Sequence, residues 1–192
     1  GLSLNGLLSK ATDDFTVKEE EEWERVLRRI RTICQASASS GGKVLIDAEE
    51  SWLQDNIDEI AEDMMRDYNR INTIVYTTIQ LYRKDRLKYL KQLCEKAKEG
   101  EFTIGVKLVR GAYMEKEKVM AERNGYPSPI QPNKKATDKD YNKAIMFCLD
   151  NIEQIRLFAG THNTKSTMLL CEEMKKRGIS NDDKRVTFSQ LL

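Results

Sequence analysis

Apolar positions along this chain switch repeatedly between a helical and a strand-like period. "TVKEEEEWERVLRRIRTICQAS" sets Trp23, Val26, Leu27, Ile30 and Cys34 at helical spacing behind Thr16 and Glu19, the pair of a capping box. Gly41 and Gly42 end that helix, because glycine takes the left-handed turn that closes one. "KVLIDAEE" is a short β-branched run and predicts a strand. From Ser51 the helical period returns, with Leu53, Ile57, Ile60, Ala61, Met64 and Tyr68 on one face. "NTIVYTTIQLY" predicts the second strand, and Leu87, Leu90, Leu93, Cys94 and Ala97 a helix that stops at Gly100. "FTIGVKLVRGAY" is the third strand, followed by a charged helix in "MEKEKVMAERNG" and a loop, "YPSPIQPNKKATD", that holds all three prolines. Tyr141, Ala144, Cys148, Leu149 and Ile152 mark a further helix, and "RLFAGTHN" the fourth strand. Thr167, Leu170, Cys171 and Met174 mark the helix after it, which ends at Gly178, and "RVTFSQLL" is a fifth strand.

One helix, four strand–helix units and a last strand imply parallel pairing through right-handed crossovers, in a single α/β domain over 1–192. The strands are predicted near 43–47, 73–79, 103–109, 156–160 and 185–190. No strand is followed by a dinucleotide-binding glycine motif or a P-loop, which favours a TIM-type barrel over an open nucleotide-binding sheet. A complete (β/α)8 barrel takes about 250 residues. With 192 residues and five strands, the expectation is an incomplete barrel whose open edges favour self-association.

Composition narrows the function classes. Acidic and basic residues nearly balance, for a net charge of +1, which gives no footprint for nucleic acid. No apolar run approaches the roughly 18 residues of a membrane span. The opening "GLSLNGLLSK" has no basic region before a long apolar stretch, so no signal peptide is read there. Cys34, Cys94, Cys148 and Cys171 are far apart and each is assigned to the apolar side of a helix, as core thiols of a reducing compartment.

The candidate chemistry lies where strands end. Asp47, Gln80, Lys107, His162 and Gln190 each fall at or near a strand's C-terminal end, where a barrel collects its catalytic residues. Each also has a plainer reading: Asp47 as a helix cap, Gln80 and Gln190 as surface residues, His162 as a structural histidine. Around His162, the small and hydrogen-bonding residues of "GTHN" suit a ligand-facing loop. Lys107 is out of phase with Val106 and Leu108, so one strand face is apolar while the other carries a cation that needs a partner. Gly111 and Ala112 let the backbone approach a ligand, Tyr113 offers a flat apolar ring with a polar tip, and the long loop beyond offers a lid. Three readings stay open on these residues: a Schiff-base lyase of the aldolase kind using Lys107, a flavoenzyme in which a cation stabilises the reduced ring, or a non-catalytic α/β interaction domain.

"LIDAEESWLQ", "VYTTIQLYRKDRLKYL", "GVKLVRGAYMEKEK", "NGYPSPIQPNKKATDKDYNKAI", "FAGTHN" and "FSQLL" resemble, in order, the motifs of the proline dehydrogenase family, closest to its short monofunctional members. The resemblance runs from about Leu7 to the last residue and implies a (β/α)8 barrel with FAD along the strand C-terminal ends. It implies that Gln80 and Lys107 contact the flavin ring, that Val109, Arg110, Gly111, Ala112 and Met114 run along the cofactor, and that Thr161, His162 and Asn163 hold its ribityl and pyrophosphate region. Asp47, Leu108, Tyr113 and Leu192 would border the substrate, with Asp47 and Tyr113 as the catalytic-site pair. The implied reaction oxidises L-proline to Δ1-pyrroline-5-carboxylate and passes electrons to a membrane quinone. The implied location is mitochondrial in a eukaryote, or cytoplasmic with peripheral attachment to the inner membrane in a bacterium. The family's early strand with its lysine, and its last helix with paired arginines and a glutamate for the substrate carboxylate, have no match here, so the chain alone is expected to be inactive.

Overall fold

A computed structural model describes residues 4–190. Its strands β1 (Val44–Ile46), β2 (Val75–Gln80), β3 (Ile104–Val109), β4 (Ile155–Gly160) and β5 (Val186–Ser189) form one five-stranded sheet, all parallel and in sequence order. Helices α1 (Leu4–Leu8) and α2 (Val17–Ser40) precede the sheet, with a 3-10 turn at Thr12–Asp14 between them. The crossovers are α3 (Ser51–Tyr68), α4 (Arg86–Glu99), the pair α5 (Met114–Asn124) and α6 (Lys134–Asp150), and α7 (Thr164–Lys176). This is the wall of a TIM-type α/β barrel. The predicted strands are all present; α1 and the 3-10 turn were not anticipated.

The capping box forms as its residues suggest: Thr16 donates to Glu19 Oε2 from its backbone N–H at 2.9 Å and from Oγ1 at 2.8 Å. Gly41 closes α2 at φ 70°. One segment departs from its expected class. "NKKATD", assigned to the proline-rich loop, starts α6, because the Asn133 side chain accepts from Ala136 N–H and caps the helix. Cys171 also departs from its assignment. Cys34, Cys94 and Cys148 are buried, but Cys171 is exposed. The inward stripe of α7 runs through Ser166, Leu170, Glu173 and Met174, and Cys171 lies one step round the helix from it.

Parallel register sorts the side chains. Thr77, Val106, Leu157 and Val186 are aligned across four strands on the helix-covered face, within the buried core. Thr78, Lys107, Phe158 and Thr187 are aligned on the opposite, inner face. Along that inner face the sheet is filled at its N-terminal end by Tyr76, which is 3% exposed. A Cβ on the neighbouring Gly105 would lie 2.5 Å from the Tyr76 ring, so this glycine makes room for the plug. Beyond it toward the strand C-terminal ends come Thr78 and Lys107, then Gln80 and Val109.

At the other end of the sheet, one residue ties two strands to a helix. Asn69, wholly buried at the C-terminus of α3, accepts from the N–H groups of Ile74 and Val75, each at 2.8 Å, through Oδ1. Its Nδ2 donates to Val75 O at 2.8 Å and Thr103 O at 3.1 Å. Asn69→Ala leaves those backbone groups without partners, and is expected to lower unfolding stability by about 3 kcal/mol in urea titrations. A loss below about 1 kcal/mol would show that water replaces the side chain. A second expectation concerns acid. Hydrogen bonds from Lys10 and then from Thr16 lower Glu19 from 4.5 to about 2. A depressed carboxyl stabilises the fold above its ordinary value and loses that contribution as pH falls through the depressed one. The stability gap between the native chain and Glu19→Gln should therefore be widest above pH 4.5 and close as pH falls to about 2. A gap that does not change with pH in thermal melts would refute this.

Candidate active site

The C-terminal ends of β1 to β4 open into a cavity of about 750 Å³. It is lined by Asp47, Ala48 and Glu49 after β1, Thr78 and Gln80 of β2, and Lys107 to Tyr113 of and after β3 with the exception of Leu108. Gly160 at the end of β4, Thr161, His162 and Asn163 after it, and Lys134 of α6 complete the wall. Asp47, Gln80, Lys107 and His162 thus share one rim, together with Val109, Arg110, Gly111, Ala112, Tyr113, Thr161 and Asn163.

The cation in the third strand has a partner. Lys107 Nζ is ion-paired with Asp47 Oδ1, reaching past β2, where Thr78 Oγ1 donates to the same oxygen at 3.2 Å. Gln80, 3% exposed, joins the two loops that flank this pair. Its Nε2 donates to Glu49 O at 2.9 Å, and its Oε1 accepts from Ala112 N–H at 3.1 Å. One N–H of the Gln80 amide is left over for a molecule in the cavity.

Arg110 fastens the far side. Its Nε donates to Asp138 Oδ1 at 2.6 Å, NH1 to Thr161 Oγ1 at 2.6 Å and NH2 to Ser166 Oγ at 3.0 Å, while the guanidinium lies 4.4 Å from the centre of the Tyr141 ring. Thr161 Oγ1 in turn accepts from Asn163 N–H at 3.0 Å, which sets the turn that carries His162. Burial opposes ionisation of Asp138, but the hydrogen bonds from Lys134 and Arg110 outweigh it and hold the carboxyl below its ordinary value. Tyr113 is pushed up to about 12, first by its hydrogen bond to the Glu49 carboxylate and then by burial. Lys116 Nζ sits 5.1 Å from the Tyr113 ring centre and is ion-paired with Glu50 at 2.6 Å. His162 is exposed, with no hydrogen-bond partner among the described residues.

Not every expected residue lines this cavity. Leu108 is fully buried in the core and does not line the cavity, because its position in the strand alternation faces the helices. Met114 starts α5, is 45% exposed and does not line it either. Gln190 is exposed directly after β5 and does not line the cavity, and Leu192 lies outside the described residues. Gly111 does not open space for a ligand. At φ 141° its missing Cβ would lie 2.3 Å from the Tyr82 ring, so the chain's own aromatic fills that side. The proline-rich loop is not a lid. Lys84 N–H donates to Pro129 O at 2.9 Å and Gln131 N–H to Tyr82 O at 2.6 Å, and none of 126–133 lines the cavity. Thr78 and Lys134 were not anticipated. Thr78 shares the Gln80 face by simple alternation, whereas Lys134 arrives only through folding of α6 over the β4 end.

Arg110→Lys keeps the charge but cannot reproduce the three-way donation. Amide exchange at Asn163 and Ser166 is expected to speed up by about tenfold. Exchange at wild-type rates would mean that the β4–α7 turn holds itself.

The model of the family described as proline dehydrogenase matches residues 3–192. Mitochondrial proline dehydrogenase 1 of Drosophila melanogaster is 34% identical over 97% of this chain and 29% of its own length. Mitochondrial proline dehydrogenase 2 of Arabidopsis thaliana is 34% identical over 100% of this chain and 41% of its own. Among solved structures, proline utilization A (PutA) from Bdellovibrio bacteriovorus, inactivated by N-propargylglycine, superposes with a TM-score of 0.81 at 25% identity, over 90% of this chain and 18% of that one. The chain therefore spans less than half the length of each of these relatives. With the family match running from end to end, and the barrel wall and its rim of polar strand ends in place, this chain belongs to the proline dehydrogenase family.

Proposed function

We propose that this chain supplies the flavin-facing wall of an enzyme that oxidises L-proline to Δ1-pyrroline-5-carboxylate. The observation that carries the reading is the Lys107–Asp47 pair, which sets a cation and an anion side by side in the cavity wall next to Gln80. The residues fit a flavin, with FAD as the form the family resemblance implies. Lys107 offers positive charge, Gln80 an uncommitted N–H, and the cavity lies within the volume range of cofactor sites. A bound flavin would supply the hydride acceptor for oxidation of the ring carbon next to the substrate nitrogen.

The chain's own residues bind and orient. Asp47 holds Lys107 and Thr78 through one oxygen, and its side chain is 70% exposed, so the second oxygen can accept from a substrate ammonium. The Tyr113 ring, with Lys116 5.1 Å from its centre, offers a flat apolar wall for a saturated ring. Its raised pKa keeps the phenol neutral through the working range. The substrate carboxylate calls for a bidentate arginine. Arg110 is committed to Asp138, Thr161 and Ser166, and the paired arginines that the resemblance implies are not among the described cavity residues. We place the electrons' destination in a membrane quinone. No helix among the described residues is long and apolar enough to cross a membrane. The matched eukaryotic relatives carry mitochondrial names, and a eukaryotic source would place this chain there as well. The Schiff-base reading is disfavoured because Lys107 Nζ is engaged by Asp47 rather than free to attack a carbonyl.

In a full-length enzyme carrying this sequence, Lys107→Met should lower flavin bound per polypeptide, read from the visible absorbance. It should also slow flavin reduction by L-proline by about tenfold in stopped flow. Unchanged flavin content together with an unchanged rate would overturn the role given to Lys107.

A further inference from the structure

The acidic loop after β1 is held from behind by a line of buried polar side chains. Glu49 N–H donates to Gln54 Oε1 at 2.9 Å. Gln54, 2% exposed in the first turn of α3, donates through Nε2 to Asp58 Oδ1 at 2.8 Å. Asp58, 6% exposed, accepts from Arg86 NH1 of α4 on its other oxygen. Arg86, 7% exposed, is braced by Asp85 Oδ2, which accepts from its NH2 at 2.7 Å and its Nε at 3.1 Å. Gln54, Asp58 and Arg86 do not line the cavity.

The direction of every bond in this line is chemically forced. A guanidinium only donates and a carboxylate only accepts. Asp58 therefore draws the amide nitrogen of Gln54 toward itself, which turns the Gln54 carbonyl toward Glu49 N–H. A buried ion pair is a poor stabilising device, since an apolar pair of the same volume often serves as well. As a device that fixes the orientation of one amide, it has a definite use.

We propose that Gln54 and the Asp58–Arg86 pair are positioning residues for the active site, locking the backbone at Glu49 so that Asp47 meets Lys107 and Glu49 stays in the cavity wall. The clamp is double, because Gln80 holds the carbonyl of the same Glu49 from the other side. The proposal rests on the reading of the cavity as the site of proline oxidation.

The test is an exchange of polarity in the full-length enzyme. Asp58→Asn keeps size but changes chemistry. Its carbonyl must serve Arg86, so its NH2 faces Gln54, which then turns its own NH2 against Glu49 N–H. Amide exchange at Glu49 should rise about tenfold, and kcat/KM for L-proline per bound flavin should fall about tenfold. Adding Gln54→Glu restores a complete set of matches, because a carboxylate at position 54 accepts from both Glu49 N–H and the NH2 at position 58. This double variant should recover both quantities to within about threefold of wild type. A merely structural role would alter the melting temperature without this split between the single and the double variant. Should Asp58→Asn not fold, Gln54→Met removes the amide alone and carries the same expectation at Glu49. Wild-type values for Asp58→Asn, or a double variant no better than the single, would overturn the proposal. An enzyme that does not oxidise proline even as wild type would instead sink the functional reading, and Glu49 exchange would still decide the clamp.

Discussion

Parallel pairing in sequence order is the constraint from which the rest of this molecule follows. Each strand must return through a crossover, so all five C-terminal ends gather on one side, and helices cover only one face. The two-residue period of a strand then assigns every side chain in the sheet to the core or to the barrel interior. Leu108 and Lys107, neighbours in β3, go to opposite faces for this reason alone: one fully buried in the core, the other in the cavity wall. Tyr76 and Gly105 fill the inner face at the N-terminal end, and so leave the open volume to the end where the loops begin.

The rim is built from charges that are nearly all matched across elements. Lys107 meets Asp47 across β2, Arg110 meets Asp138 of α6, and Lys116 meets Glu50. Glu117, wholly buried in α5, accepts from Ser51 N–H at 2.6 Å and from Ser51 Oγ at 2.7 Å, at the positive end of α3. Ion pairs that remain partly open to solvent contribute modestly to stability. Their value here is positional, because each ties a cavity-bearing loop to a different rigid element. Exposed His162, by contrast, makes no such tie among the described residues and stands available to a ligand.

Much was decided by the sequence itself. The switch between helical and alternating periods located every strand and every crossover helix, because burying one face of each element demands that pattern. Asp47, Gln80, Lys107 and His162 were legible as rim residues from their place at strand ends, and the motifs "DAEE", "KLVRGAY" and "THN" carried the family. Only the tertiary structure decided what the polar groups touch. That Gln80 bridges two loops, that Gly111 yields its space to Tyr82, and that Gln54, Asp58 and Arg86 stand in line behind Glu49 are relations between residues distant in the chain. Periodicity reports which face a residue occupies, whereas a hydrogen-bond partner is set by the packing of whole elements against one another. Cys171 marks the same boundary at short range: one step round a helix from Leu170 was enough to place it in solvent, and only the seating of α7 against the sheet showed on which side the core began.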